Sequence, residues 1–159
     1  MSAVAEVTAA NDRYVSGFTK GGLPMPPGRR FAVVTCMDAR LDPARFLGLE
    51  EGDAHVIRNA GGVVNDETIR SLLISHHLLG TEEAVVIGHT DCGMQTFTNG
   101  DLHERLGPES ESIDFQPFPD VAERVGRSVE TIRSHPLLPD SFSASGFVYD
   151  VRTGRIDAV

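Results

Sequence analysis

Short apolar runs alternate with stretches of helical periodicity along most of this chain. The first thirty positions stand apart from that pattern. They are polar and punctuated, and end in Gly21-Gly22-Leu23-Pro24-Met25-Pro26-Pro27-Gly28, which can continue neither a helix nor a central strand. A short helix followed by an extended arm is the expectation for residues 1–30. Phe31-Ala32-Val33-Val34-Thr35 is wholly apolar or β-branched, as in a strand buried on both faces, and Cys36 sits at its C-terminal end. Asp42-Pro43 supplies an N-cap and a proline at the first helical position, opening a short helix through about Leu47. Residues 54–57 form a second strand, and Asn59-Ala60-Gly61-Gly62 a tight loop. Ile69, Leu72, Leu73, His76 and Leu79 recur at helical spacing over residues 66–79, and Gly80 follows as a C-cap.

The third strand is Ala84-Val85-Val86-Ile87, with His89 and Cys92 just beyond it. A polar region with prolines at 108, 117 and 119 follows, holding a short helix near residues 101–106. Val121, Val125, Val129 and Ile132 mark another amphipathic helix, closed by His135-Pro136. Residues 147–151 and 155–159, joined through Thr153-Gly154, read as a hairpin. The alternation predicts an α/β fold with a central, mostly parallel β-sheet flanked by helices and an antiparallel C-terminal edge strand. Residues 1–159 are expected to form a single domain, of which 1–30 are the helix and arm.

Composition narrows the class of partner. The 159 residues carry 14 basic and 23 acidic side chains, a formal net charge of -9. That balance argues against non-specific binding to nucleic acid or to an anionic membrane, and fits a small-molecule or protein partner better. No apolar run approaches the roughly 18 residues of a membrane span, and the first residues lack a basic-then-apolar signal pattern, so a cytoplasmic location is expected. In a reducing compartment the two cysteines, Cys36 and Cys92, point to free thiols, catalysis or metal rather than to a structural disulfide.

In a parallel sheet, ligands gather at the carboxyl ends of strands, where Cys36 and the pair His89 and Cys92 all fall. Two thiolates and one imidazole suit zinc, and three protein ligands leave a fourth position open for chemistry. An inert buried thiol at Cys36 is the alternative, as is a redox pair of Cys36 with Cys92. Cys36-Met37-Asp38-Ala39-Arg40 adds a carboxylate and a guanidinium beside the candidate ligand, although a surface ion pair at a helix entrance has the same composition.

Together, Cys36-Met37-Asp38-Ala39-Arg40, Arg58-Asn59-Ala60-Gly61-Gly62 and Gly88-His89-Thr90-Asp91-Cys92-Gly93 resemble the β-class carbonic anhydrases, in order and spacing across residues 31–97. The resemblance implies Zn2+ held by Cys36, His89 and Cys92, with Asp38 and Arg40 as a dyad at the open position. It implies zinc-dependent, reversible hydration of carbon dioxide to bicarbonate and a proton, by attack of zinc-bound hydroxide. It also implies a homodimer or homotetramer in which the N-terminal arm embraces the partner.

Asp38 would accept a hydrogen bond from the nucleophile while Arg40 keeps it ionised; unpaired, Asp38 would close the site as a fourth ligand. Asn59, Ala60, Gly61 and Gly62 are candidates for the substrate wall. His55, His76, His77 and His103 read as surface or core histidines, and none is assigned as a proton shuttle. Several features depart from the family pattern: the chain is short, Met94 replaces a common glycine, no tryptophan is present, and the arm lacks a glutamine. Two other functions remain open, namely a carbonyl sulfide or carbon disulfide hydrolase using the same zinc, and a non-catalytic structural or sensory zinc protein.

Overall fold

The apolar runs become a five-stranded sheet in the computed structural model, which describes residues 2–159. The strands are β1 (Phe31–Cys36), β2 (Ala54–Asn59), β3 (Glu83–His89), β4 (Ser143–Tyr149) and β5 (Ile156–Ala158), in spatial order β2-β1-β3-β4-β5. The first four are mutually parallel and β5 runs antiparallel to β4, as expected. The helices are α1 (Ala3–Val15), α2 (Pro43–Leu47), α3 (Asp66–Leu79), α4 (Asn99–Leu106) and α5 (Val121–Arg133).

Periodicity explains how the layers meet. Ala32, Val34, Ala84 and Val86 share one face of the sheet and pack against Ile69 and Leu72 of α3 and Val125, Val129 and Ile132 of α5. Helix α3 begins where the Asn65 side chain accepts a hydrogen bond from the Thr68 N–H, and it ends at Gly80 in the left-handed conformation. Outside this core, α1 buries no residue and leaves Val4, Val7 and Val15 exposed. The arm after it is tied back by Gly28 N–H donating to Gly52 O at 2.8 Å and by Lys20 pairing with Glu50 and Glu51. Among the described residues, no helix is long and apolar enough to cross a membrane.

The boundaries differ from expectation at several places: strand β2 runs on to Asn59, taking it out of the expected loop, and β4 ends at Tyr149 rather than at residue 151. Strand β3 runs on to His89, so the histidine is the last residue of the strand. Helix α4 starts at Asn99 because Thr98 and Asp101 form a reciprocal cap. Strand β4 starts at Ser143 rather than at residue 147, paired with Glu83 at the start of β3. Its opening Ser143-Ala144-Ser145-Gly146 has little strand propensity; the ladder with β3 imposes the conformation, and the small side chains make room for α5.

That closeness rests on two glycines. A Cβ on Gly146 would lie 2.7 Å from Val125 Cγ1, and one on Gly88 would lie 2.6 Å from Val121 Cγ2 and 2.7 Å from Val125 Cγ2. Valine is stiff at χ1 and cannot swing aside, so α5 would have to move. Gly88→Ala is expected to lower the unfolding free energy by about 1–3 kcal/mol, read as a lower urea midpoint. An unchanged midpoint would contradict this packing.

Candidate metal centre

The parallel ladder between β1 and β3 brings two strand ends side by side, the last Cα partners being Thr35 and Ile87. Thr35 Oγ1 donates to Ile87 O at 2.8 Å inside the sheet and fixes that register. Cys36 and His89 therefore leave the sheet at the same edge. Beyond His89 the chain reverses through Asp91, which takes a left-handed φ of 55°, and returns Cys92 to the same point. The ligand atoms of Cys36, His89 and Cys92 all lie within 4.8 Å of one another, and all three side chains are buried.

Hydrogen bonding tests whether this cluster suits a metal. His89 Nδ1 lies 2.9 Å from Thr90 O; a carbonyl only accepts, so Nδ1 carries a proton. In the neutral ring Nε2 then bears a lone pair, and that buried atom has no hydrogen-bond partner. An unsatisfied buried acceptor costs about 1–3 kcal/mol, which a metal ion would relieve. Two soft sulfurs and an imidazole are the donors zinc prefers, so the site fits the ion.

The two sulfurs point the same way. Hydrogen bonding from Cys92, opposed by burial and aided by His89 and by the N–H groups of Asp38 and Gly61, lowers the Cys36 pKa to about 4. The same contact, with burial, pushes the Cys92 thiol up. Without a metal, the sulfurs therefore share one proton. Burial opposes protonation of His89, but Cys36, the Thr90 carbonyl and Asp38 outweigh it, and the ring pKa is raised. Thiolate sulfur and neutral imidazole are the forms that bind a metal, so metal binding competes with protons here.

Asp38 stands at the rim of the cluster. Its Oδ1 accepts from Arg40 N at 2.9 Å and Nε at 3.0 Å, and its Oδ2 accepts from Arg40 Nη2 at 2.8 Å. Asp38 is thus paired with Arg40, with Oδ2 held 3.8 Å from His89 Nε2. The Arg40 hydrogen bonds, only partly opposed by desolvation, hold its carboxyl well below the usual carboxylate range. Around the cysteines, Leu41, Val63, Met94 and Phe118 complete a buried apolar cluster, so Met94 is part of the lining.

Residues 59–62 serve this edge in distinct ways. The Asn59 amide is engaged within its own turn, donating to Val63 O at 2.8 Å and accepting from Val63 N at 2.7 Å. Ala60 is exposed, and Gly61 N–H donates to Cys36 Sγ at 3.3 Å. Gly62, with φ 62°, abuts β1: an added Cβ would lie 2.9 Å from both Cys36 N and Thr35 C.

Two residues that the sequence left without a role also act here. Arg58 Nε donates to Cys36 O at 2.9 Å and its Nη2 to Asp38 O at 2.7 Å, clamping the loop that carries both groups. Asp91 accepts from Arg40 Nη1 at 2.7 Å. A charged residue set between two candidate ligands was the available signal for Asp91; carbonyl contacts such as those of Arg58 leave none in a sequence. The five histidines outside the cluster are engaged elsewhere: His55 with Ser75, His76 with Thr81 O, His77 with Leu137 O, His103 with Ile113 O, and His135 Nδ1 accepting from Leu137 N.

Because the Gly62 contact is with backbone, no side chain can yield. Gly62→Ala is expected to cost about 2–4 kcal/mol through overlap and left-handed strain, and to weaken zinc binding about tenfold in a chelator competition titration. Gly93→Ala, where a Cβ meets nothing within 4 Å, should leave zinc binding unchanged. Equal zinc affinity for the two variants would contradict the role assigned to Gly62.

Comparison with known proteins places the chain in a family. A family model described as carbonic anhydrase matches residues 31–115. The β-carbonic anhydrase 1 of Mycobacterium tuberculosis is 48% identical over 162 residues, covering 100% of this chain and 99% of the relative. A crystal structure of carbonic anhydrase from Streptococcus mutans superposes with a TM-score of 0.94 at 47% identity, covering 100% of this chain and 98% of the other. A carbon disulfide hydrolase of Acidithiobacillus thiooxidans is 36% identical over 155 residues, covering 83% of this chain and 78% of its own. The chain belongs to the β-carbonic anhydrase family.

Proposed function

We propose that the chain catalyses the reversible hydration of carbon dioxide to bicarbonate and a proton, with zinc held by Cys36, His89 and Cys92 and with Asp38 and Arg40 as the catalytic pair. The observation that carries this reading is the unpartnered, buried His89 Nε2, set among two buried sulfurs and beside a carboxylate turned aside by an arginine. A structural or sensory zinc site takes four protein ligands. Asp38 would be the fourth, and its engagement by Arg40 disfavours that reading.

Bound to these donors, zinc supplies the Lewis acidity that makes a water at the open position acidic enough to act as a nucleophile near neutral pH. Two thiolates cancel the ion's formal charge and weaken that effect, so the chain's own groups must help. Asp38 accepts a hydrogen bond from the attacking water and directs its lone pair towards carbon. Arg40 keeps Asp38 ionised and holds it off the ligand position. Leu41, Val63, Met94 and Phe118 give an apolar wall suited to an uncharged linear substrate, and the turn of Asn59, Ala60, Gly61 and Gly62, which packs against it where a Cβ on Gly61 would lie 2.9 Å from Phe118, is the candidate for the rest of the substrate wall. The released proton passes to solvent buffer.

The same wall suits carbonyl sulfide or carbon disulfide, and a relative described as a carbon disulfide hydrolase keeps that second reading in view. Two free, buried cysteines fit a reducing, cytoplasmic setting. The exposed apolar residues of α1, together with Phe18, Met25 and Val56 on the edge strand β2, fit a homodimer or homotetramer built from single-domain subunits.

Stopped-flow hydration of carbon dioxide by the zinc-loaded protein, run beside sulfide release from carbonyl sulfide, tests the assignment; faster turnover of carbonyl sulfide would replace it with the second reading. Asp38→Ala is expected to lower carbon dioxide hydration about a hundredfold while zinc stays near one per chain. The sign of the pH dependence follows from Asp38: Arg40 lowers its pKa, so it is already ionised wherever the enzyme works. Activity should therefore rise between about pH 6 and 9 through loss of a proton from the attacking water. A flat profile across that range would contradict the mechanism.

A further inference from the structure

Arg40 is anchored on two sides. Its Nε and one Nη2 hydrogen reach the Asp38 carboxylate. Its Nη1 reaches Asp91 Oδ2 at 2.7 Å, and the other Nη2 hydrogen reaches the Asp91 carbonyl at 2.8 Å. The fork has separate N–H groups for each of these contacts, so the two anchors do not compete for the same hydrogen. The Arg40 side chain is 46% exposed, so packing alone does not fix it. A long arginine otherwise samples many rotamers, and a second anchor restricts them before Asp38 is engaged.

Asp91 is placed for this task by the turn that returns Cys92 to the cluster. Its left-handed φ of 55° is one that aspartate tolerates better than most residues. It lies between His89 and Cys92, whereas Asp38 follows Cys36. The guanidinium therefore ties the loop after β3 to the loop after β1, the two segments that carry the cluster. Asp91 touches none of the three candidate ligand atoms; it acts through Arg40.

We infer that Asp91 is a positioning residue, a latch that holds Arg40 from the β3 side so that Arg40 keeps Asp38 directed at the attacking water and off the ligand position. This rests on the carbonic anhydrase reading of the site. It adds a third member to the pair Asp38 and Arg40. With the latch removed, Arg40 spends more time in solvent and Asp38 more time free to close the site.

Asp91→Gly tests it, because glycine keeps the left-handed backbone and the carbonyl contact and deletes only the carboxylate. Three quantities are compared with wild type in the zinc-loaded protein: zinc content with the urea midpoint, carbon dioxide hydration, and solvent exchange of the Arg40 Nε–H followed by 15N NMR. The expected result is unchanged zinc content and midpoint, hydration lowered about three- to fivefold, and Nε–H exchange faster by a similar factor, the scale of an exposed ion pair. Asp91→Asn, which keeps a neutral acceptor, should fall between glycine and wild type. Unchanged Nε–H exchange overturns the latch whatever the activity does. Loss of zinc or a lower midpoint in both variants overturns it in favour of a structural role. A wild-type protein with no carbon dioxide hydration overturns the reaction reading instead, while the Nε–H comparison still judges the contact.

Discussion

Two sulfurs and an unpartnered ring nitrogen, buried within 4.8 Å of one another, are the constraint on which the rest of this site depends. Taken out of water, such groups repel or share protons until a cation joins them. The fold must therefore deliver three donors from two loops to one point and keep them there. It does so through the parallel register of β1 and β3, which ends both strands at the same edge, and through the reversal at Asp91. The glycines follow from the same demand: Gly62 presses its backbone against the end of β1, and Gly88 lets α5 close over the end of β3.

Around the cluster, arginines hold loop geometry that packing does not. Arg58 grips the carbonyls of Cys36 and Asp38 from β2, and Arg40 spans the mouth between Asp38 and Asp91. Each bond draws strength from a formal charge on the donor. The consequence is an ionised Asp38 whose oxygens are turned to Arg40 rather than into the cluster. A structural metal site has no use for that arrangement, whereas a hydration catalyst needs a carboxylate close to the metal but not on it.

Much of this was legible in the sequence, for physical reasons. The continuous apolar run of β1 and the 3.6-residue spacing of α3 announce themselves because burial dictates them, and the His89 and Cys92 pair after a strand is short-range chemistry. The start of β4 was hidden, because Ser143-Ala144-Ser145-Gly146 carries no strand signal of its own and is extended only by pairing with β3. Arg58 was hidden for another reason: it acts on groups far away in sequence through backbone carbonyls that every residue possesses, whereas Asp91 left one signal, a charge set between two candidate ligands. Asn59 showed the converse. It stands in a motif beside the site, yet its amide braces its own turn.

The most direct test of the central claim is X-ray absorption at the zinc edge of the loaded protein near pH 8.5, with and without an added small anion such as azide. Two sulfur neighbours at about 2.3 Å, one imidazole nitrogen at about 2.0 to 2.1 Å, and one light neighbour that azide replaces are predicted. A fourth ligand that azide leaves in place, or a shell without two sulfurs, would contradict an open zinc position held by Cys36, His89 and Cys92.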